Sequence, residues 1–154
     1  KRLLVAIALA GAVAGVISAA PSPSLTEHPA TLKVAIAPEA PRPGDDVELT
    51  LRIVPKSGIK INRYPKIRFN VAEQAGLLGG SEVSLGNDGP PPPDKMDTNY
   101  FETVDPIKLE LSLDTATKPG RHEIEGNVTY YYCVAKSGFC APKKEKVKVS
   151  FDVR

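Results

Sequence analysis

Residues 129–142 read TYYYCVAKSGFCAP and contain the only two cysteines of the 154-residue chain, Cys133 and Cys140. Six residues separate the cysteines, and Gly138 is one of them. The preceding residues 121–132 are typical of a strand, and residues 145–153 alternate apolar and polar side chains. Alternation with a period of two on both sides of a turn-prone segment predicts a β-hairpin with the cysteines at its neck. Two thiols that face each other there can form a disulfide across the strands.

This spacing leaves two roles open for the disulfide. A bridge that closes a loop of this length restrains the unfolded chain by only about 2.5 kcal/mol, and the hairpin already holds the same residues together. A disulfide that stabilises the fold so little is compatible with an exchangeable role. In that role, flanking aromatic residues shield one sulfur and leave the other open to attack. The alternative is a structural bridge in an exported domain. The flanking aromatic residues are Tyr130, Tyr131, Tyr132 and Phe139.

The hairpin resembles the redox hairpin of the N-terminal periplasmic domain of the DsbD family of thiol–disulfide interchange proteins. The family pattern has an aromatic residue shortly before Cys-Ala, followed by Gly-Phe-Cys and a proline. The matching positions here are Cys133, Ala135, Gly138, Phe139, Cys140 and Pro142. Ala135 comes one place late, and the loop is one residue longer than in the best-known members. The resemblance covers residues 31–154, although only the hairpin is specific.

The resemblance implies that the chain relays reducing equivalents through Cys133 and Cys140. A partner thiolate attacks one sulfur, a mixed disulfide forms, and the second cysteine resolves it. Family analogy favours Cys140 as the cysteine that joins to partners. The expected partners are thioredoxin-like thiol–disulfide proteins of the periplasm or membrane, since the chain has no CxxC motif of its own. No cofactor is expected.

The resemblance also implies an aromatic cap over the cysteine pair. Tyr100 and Phe101 precede a predicted strand at the corresponding place, and Phe139 would add to the shielding. The alternative for Tyr100 and Phe101 is an ordinary loop docked on the core. The chain departs from the family after Gly58, where members often carry tyrosines and this chain has the residues IKIN.

The N-terminus predicts export. Lys1 and Arg2 precede an apolar stretch over residues 3–17, and Ser18-Ala19-Ala20 follows. This order predicts a signal peptide over residues 1–20, because a transmembrane helix needs about 20 apolar residues. The alternative is an uncleaved N-terminal anchor. We therefore expect a periplasmic or secreted protein.

The remaining sequence predicts an all-β domain. Residues 21–30 are rich in proline and serine and predict a linker, and seven or eight short alternating segments with Pro/Gly turns follow. The segments are 31–37, 47–53, 59–62, 66–71, 82–85, 107–113, 121–132 and 145–153. They predict an immunoglobulin-like antiparallel β-sandwich over residues 31–154. Residues 86–94 contain four successive prolines and predict an irregular stiff loop, the alternative being a polyproline ligand for an aromatic groove.

Other chemistry finds little support in the sequence. Removing Lys1 and Arg2 leaves 18 basic residues against 18 acidic ones, so the charge implies no nucleic-acid partner. His28 and His122 form no zinc-binding spacing with the cysteines, and no metal site is expected. Lysines in the last strand are most simply its solvated face. The rival function is a non-redox periplasmic binding module, in which the sandwich holds a partner and the disulfide only braces a loop.

Overall fold

The computed structural model describes residues 28–78 and 80–154. The predicted signal peptide and most of the predicted linker lie outside the described residues. Pro29 and Ala30 are buried, so the folded domain begins slightly before the predicted boundary at Thr31. None of the helices in the described part of the chain has the length and apolar character that crossing a membrane requires.

Nine strands form within these residues, and they build two antiparallel sheets. The strands are β1 (Ala30–Ala37), β2 (Asp46–Pro55), β3 (Ile59–Ile61), β4 (Ile67–Val71), β5 (Leu77–Leu78), β6 (Ser81–Leu85), β7 (Ile107–Leu113), β8 (Gly120–Val134) and β9 (Cys140–Val153). One sheet has the order β1-β2-β7-β5. In the other, β8 lies between β9 on one side and both β3 and β4 on the other, and β6 completes the sheet beside β4.

This arrangement is the antiparallel immunoglobulin-like sandwich predicted from the sequence. The order β1-β2-β7-β5 against β9-β8-β4-β6 corresponds to the ABED and GFC strand order of immunoglobulin domains, extended by one strand. The two-residue strand Leu77–Leu78 is too short to show any alternation and was not predicted. Residues 59–62 and 66–71 were predicted as a short pair of strands, and each pairs with β8 rather than with the other.

The core forms because the alternating apolar residues of each strand face the opposite sheet. In β2 and β7, for example, Leu49 and Leu109 lie directly opposite each other and are almost completely buried. From the other sheet, β8 contributes Val128, Tyr130 and Tyr132, which are also buried. Mostly polar and charged residues occupy the intervening positions, as expected for sheets with one wet face.

One regular element contradicts the sequence prediction. Residues 86–94 were expected to be irregular throughout, but the last two belong to a 3-10 helix, Pro93–Asn99. A proline at the first helical position is favourable, because its fixed φ suits the helix and its missing N–H is not needed there. All residues of this helix except Asn99 are exposed, so the sequence has no periodic apolar pattern here from which a helix could be predicted.

The carboxylate of Glu145 lies at the edge of the sandwich between β1 and β9. Tyr130 donates a hydrogen bond of 2.6 Å to Glu145 Oε1, and His28 Nδ1 lies 3.5 Å from the other carboxylate oxygen. The pKa of Tyr130 lies well above its ordinary value. Burial of the side chain is the larger cause, and the adjacent Glu145 carboxylate is the second. The neutral phenol is therefore the form that the fold stabilises.

Candidate functional site: the Cys133–Cys140 disulfide

Cys133 and Cys140 form the predicted disulfide at the neck of the β8–β9 hairpin. They are directly opposite in the strand register, with Cα atoms 4.0 Å apart. The next pair in the hairpin is joined by a hydrogen bond of 2.8 Å from Val134 N to Phe139 O. The cysteines therefore occupy a non-hydrogen-bonded pair, which is where antiparallel strands approach most closely.

The loop beyond the disulfide closes tightly and is fixed to a neighbouring turn. Gly138 N donates to Val134 O at 2.8 Å, and Gly138 has a φ of +70°, which favours glycine. Ala135 N donates to Gly58 O, also at 2.8 Å. The hairpin tip is thereby held beside the turn that precedes β3.

The two sulfurs lie in different environments. Cys133 is only 3% exposed, whereas Cys140 is exposed to solvent. Cys133 belongs to the face of β8 that points away from the core, because Tyr130 and Tyr132 occupy the alternate, core-facing positions. Phe139 is partly buried and also packs against the core. The cover on Cys133 therefore comes from elsewhere in the chain.

Tyr100 and Asn62 contact the sulfur of Cys133. The Tyr100 hydroxyl donates to Cys133 Sγ at 3.7 Å, and Asn62 Oδ1 lies 3.4 Å from the same sulfur. Asn62 and Tyr100 are themselves paired in a short antiparallel bridge. The side chain of Phe101 packs against the core, with the Arg63 guanidinium 4.6 Å from its ring centre. Of the two aromatic residues predicted to form a cap, Tyr100 is the one whose contact with the disulfide is observed.

We call residues 99–101 the cap segment. Its first residue, Asn99, is buried, and its side chain makes two hydrogen bonds with the backbone of Tyr64. Tyr64 N donates to Asn99 Oδ1, and Asn99 Nδ2 donates to Tyr64 O, both at 2.9 Å. Arg63 N also donates to Asn99 O at 2.6 Å. These bonds fasten the cap segment to the chain just after β3.

The remaining two residues of the cap segment are fastened in the same way. Phe101 N donates to Ile61 O at 2.9 Å, and Arg63 Nε donates to Tyr100 O at 3.1 Å. The cap segment thus behaves as a very short strand added at the edge of the sheet beside residues 61–63, and the Tyr100 side chain reaches from it to Cys133. These hydrogen bonds hold the backbone of the cap segment in the place from which the Tyr100 side chain covers Cys133.

Charged side chains surround this site. Lys60 is the register partner of Cys133 on β3, and its ammonium nitrogen lies 4.8 Å from the centre of the Tyr100 ring. An open groove of about 630 Å³ lies beside them. It is lined by Lys60, Arg63, Asp97, Thr98, Tyr100, Phe101 and Glu102. Sequence reasoning assigned no role to Lys60, Asn62 or Asn99. Lys60 and Asn62 come close to Cys133 only because distant strands pair, and Asn99 acts through its hydrogen bonds with Tyr64.

The lysines of the last strand lie farther along the sheet. Lys144 is exposed and opposite Thr129, and Lys148 forms ion pairs with Glu123 and Glu125. Hydrogen bonding and charge attraction to Lys148 lower the pKa of Glu125. Within residues 28–78 and 80–154, no cluster of three or more His, Cys, Asp or Glu side chains is placed to hold a metal ion.

No protein-family model matches the chain, and a comparison with curated proteins finds no match.

Proposed function

We propose that this protein is an exported thiol–disulfide exchange module, similar to the N-terminal domain of the DsbD family, that relays reducing equivalents through Cys133 and Cys140. The observation that carries the proposal is the unequal exposure of the two cysteines. Cys140 is open to solvent, whereas Cys133 is buried beneath Tyr100. Exchange needs one sulfur that a partner can reach and a second that is held in place to resolve the mixed disulfide.

The reaction begins at the exposed sulfur. A partner thiolate attacks Cys140 Sγ in line with the disulfide, the bond between the two cysteine sulfurs breaks, and Cys133 leaves as a thiolate. The partner is then joined to Cys140. A second thiolate of the partner displaces Cys140 from this mixed disulfide, so that two electrons have passed to the chain and the partner carries the disulfide. The reverse sequence reduces an oxidised partner.

The partner class follows from what this reaction requires. The electron donor or acceptor must itself carry a dithiol or disulfide, and thioredoxin-like proteins of the periplasm or membrane have this chemistry. The two described cysteines are paired with each other and no free thiol remains within residues 28–78 and 80–154. The periplasmic or secreted location follows from the signal peptide predicted over residues 1–20.

The decisive experiment is a redox titration of the purified domain in glutathione buffers. We expect a midpoint above about −300 mV, since structural disulfides of secreted proteins lie below that value. We also expect the reduced protein to remain folded and to lose no more than about 2.5 kcal/mol of stability, because the closed loop is short. A disulfide that resists reduction down to about −300 mV would support the binding-module alternative and remove the exchange function.

A matched pair of variants tests which sulfur reacts. Cys133→Ala leaves the exposed Cys140, which should form mixed disulfides with a thioredoxin-like partner whose resolving cysteine has been removed. Cys140→Ala leaves only the buried Cys133 and should form them far more slowly. Equal rates for the two variants would show that the burial of Cys133 does not direct the reaction.

A further inference from the structure

Lys60 lies directly opposite the buried sulfur on the neighbouring strand. Directly opposed residues of antiparallel strands have Cβ atoms about 4.5–5.5 Å apart, and Lys60 and Cys133 share the outer face of the sheet. The Lys60 ammonium rests on the Tyr100 ring, whose hydroxyl donates to Cys133 Sγ. Lys60 takes part in none of the ion pairs found within the described residues.

The exchange reaction creates a need for positive charge at this place. Attack at Cys140 releases Cys133 as an anion, and Cys133 is almost inaccessible to water. Burial disfavours a thiolate unless neighbouring groups stabilise it. The two polar contacts of this sulfur have opposite effects on its ionisation. Asn62 Oδ1 accepts a hydrogen bond only from the neutral thiol, whereas the Tyr100 hydroxyl donates to the thiolate.

We infer that Lys60 is a positioning residue for thiol–disulfide exchange: it holds the Tyr100 hydroxyl on Cys133 and favours that cysteine as the leaving thiolate. A cation on the face of a phenol ring is attracted to the ring and fixes its position. It also makes the hydroxyl a stronger donor and adds a positive potential close to the sulfur. This inference rests on the proposed function and assigns a role that the hairpin motif does not contain.

Other titratable groups also face this site. Tyr131 lies two residues before Cys133 on the same face of β8, and Arg63 lies in the adjacent groove. Asp97 and Glu102 line that groove as well and reduce its positive potential. Lys60 is distinguished from these groups by its register position, which places it opposite the reacting pair.

The test measures the thiolate of Cys133 directly. In the reduced Cys140→Ser protein, the ultraviolet absorbance of the thiolate is followed as the pH is raised. We expect Lys60→Met to move the midpoint of this titration upward by about one pH unit. Lys60→Arg keeps the charge and the ring contact and should retain the original midpoint.

Lys144→Met is the matched control. Lys144 is exposed on the same face of the sheet, but it lies four residues from Cys140, or about 13 Å along the strand. Its removal should leave the midpoint unchanged. In the oxidised proteins with Cys140 restored, Lys60→Met should slow reduction by a small dithiol roughly threefold to tenfold, since a more basic thiol leaves more slowly.

An unchanged midpoint in Lys60→Met, with the fold intact by circular dichroism, would overturn the inference. If Lys60→Met does not fold, Lys60→Gln provides the same test. The titration does not depend on the redox potential of the wild-type disulfide. A reduction potential below about −300 mV would therefore remove the proposed function, but the effect of Lys60 on the Cys133 thiolate would still be measurable. An exchangeable disulfide whose thiolate titration is unchanged in Lys60→Met would remove only the role of Lys60.

Discussion

Replacing Asn99 by alanine should release the cap segment and expose Cys133. The Asn99 side chain is buried and makes two hydrogen bonds of 2.9 Å, one with the N–H and one with the carbonyl of Tyr64. Alanine can make neither. The backbone bonds of the cap segment remain, so we expect the domain to fold with a more easily opened cap.

The size of the effect follows from the two lost bonds. Each hydrogen bond contributes a net of about 1 kcal/mol, so the free energy of cap opening should fall by about 2 kcal/mol. Since 1.4 kcal/mol corresponds to a factor of ten, the population of the open state should rise roughly 30-fold.

The assay is the alkylation rate of Cys133 in the reduced Cys140→Ser protein, where the rate is proportional to the open population. Asn87→Ala is the control, because Asn87 is exposed and its described hydrogen bond is made by its backbone. An acceleration of less than about threefold in Asn99→Ala, with global stability lowered by the full amount, would show that reagent reaches Cys133 by a motion that leaves the Asn99 hydrogen bonds intact, and would refute the role assigned to the cap segment.

Two further predictions concern stability. Gly86 has a φ of +133°, and a Cβ there would lie 2.1 Å from Arg63 O, so Gly86→Ala should cost at least about 2 kcal/mol in denaturant unfolding; Gly89→Ala, with open space around it, should change stability by less than about 0.5 kcal/mol. Equal losses for both would contradict the observed contact. Because folding raises the pKa of Tyr130, the folded state holds the phenol proton more tightly, and stability should fall as the pH rises above about 10. Tyr130→Phe should lower the free energy of unfolding at neutral pH by about 1–2 kcal/mol, and it should reduce the loss of stability above pH 10 by up to about 1.4 kcal/mol per pH unit. If denaturant titrations from pH 7 to pH 11 show the same pH dependence of stability in both proteins, the role of Tyr130 is refuted.

The sequence alone determined the hairpin, the pairing of its two cysteines and the sandwich class. These features follow from local patterns: alternation with a period of two selects strands, and Pro/Gly segments separate them. Cys133 and Cys140 meet because the strands around them both pair and turn within a short length of chain. The same reasoning missed strand β5 and the helix Pro93–Asn99, because neither is long or amphipathic enough to produce a periodic signal.

Only the tertiary structure decided which sulfur is buried. By alternation, Cys133 falls on the outer face of β8, where a side chain is ordinarily exposed. It is covered because Tyr100, 33 residues earlier in the chain, crosses it and is held by Asn62, Asn99 and the backbone after β3. The position of Lys60 opposite Cys133 likewise depends on the register between β3 and β8. Such contacts arise from the pairing of distant segments, which no local pattern encodes, and they give the two cysteines of one symmetric bond different chemistry.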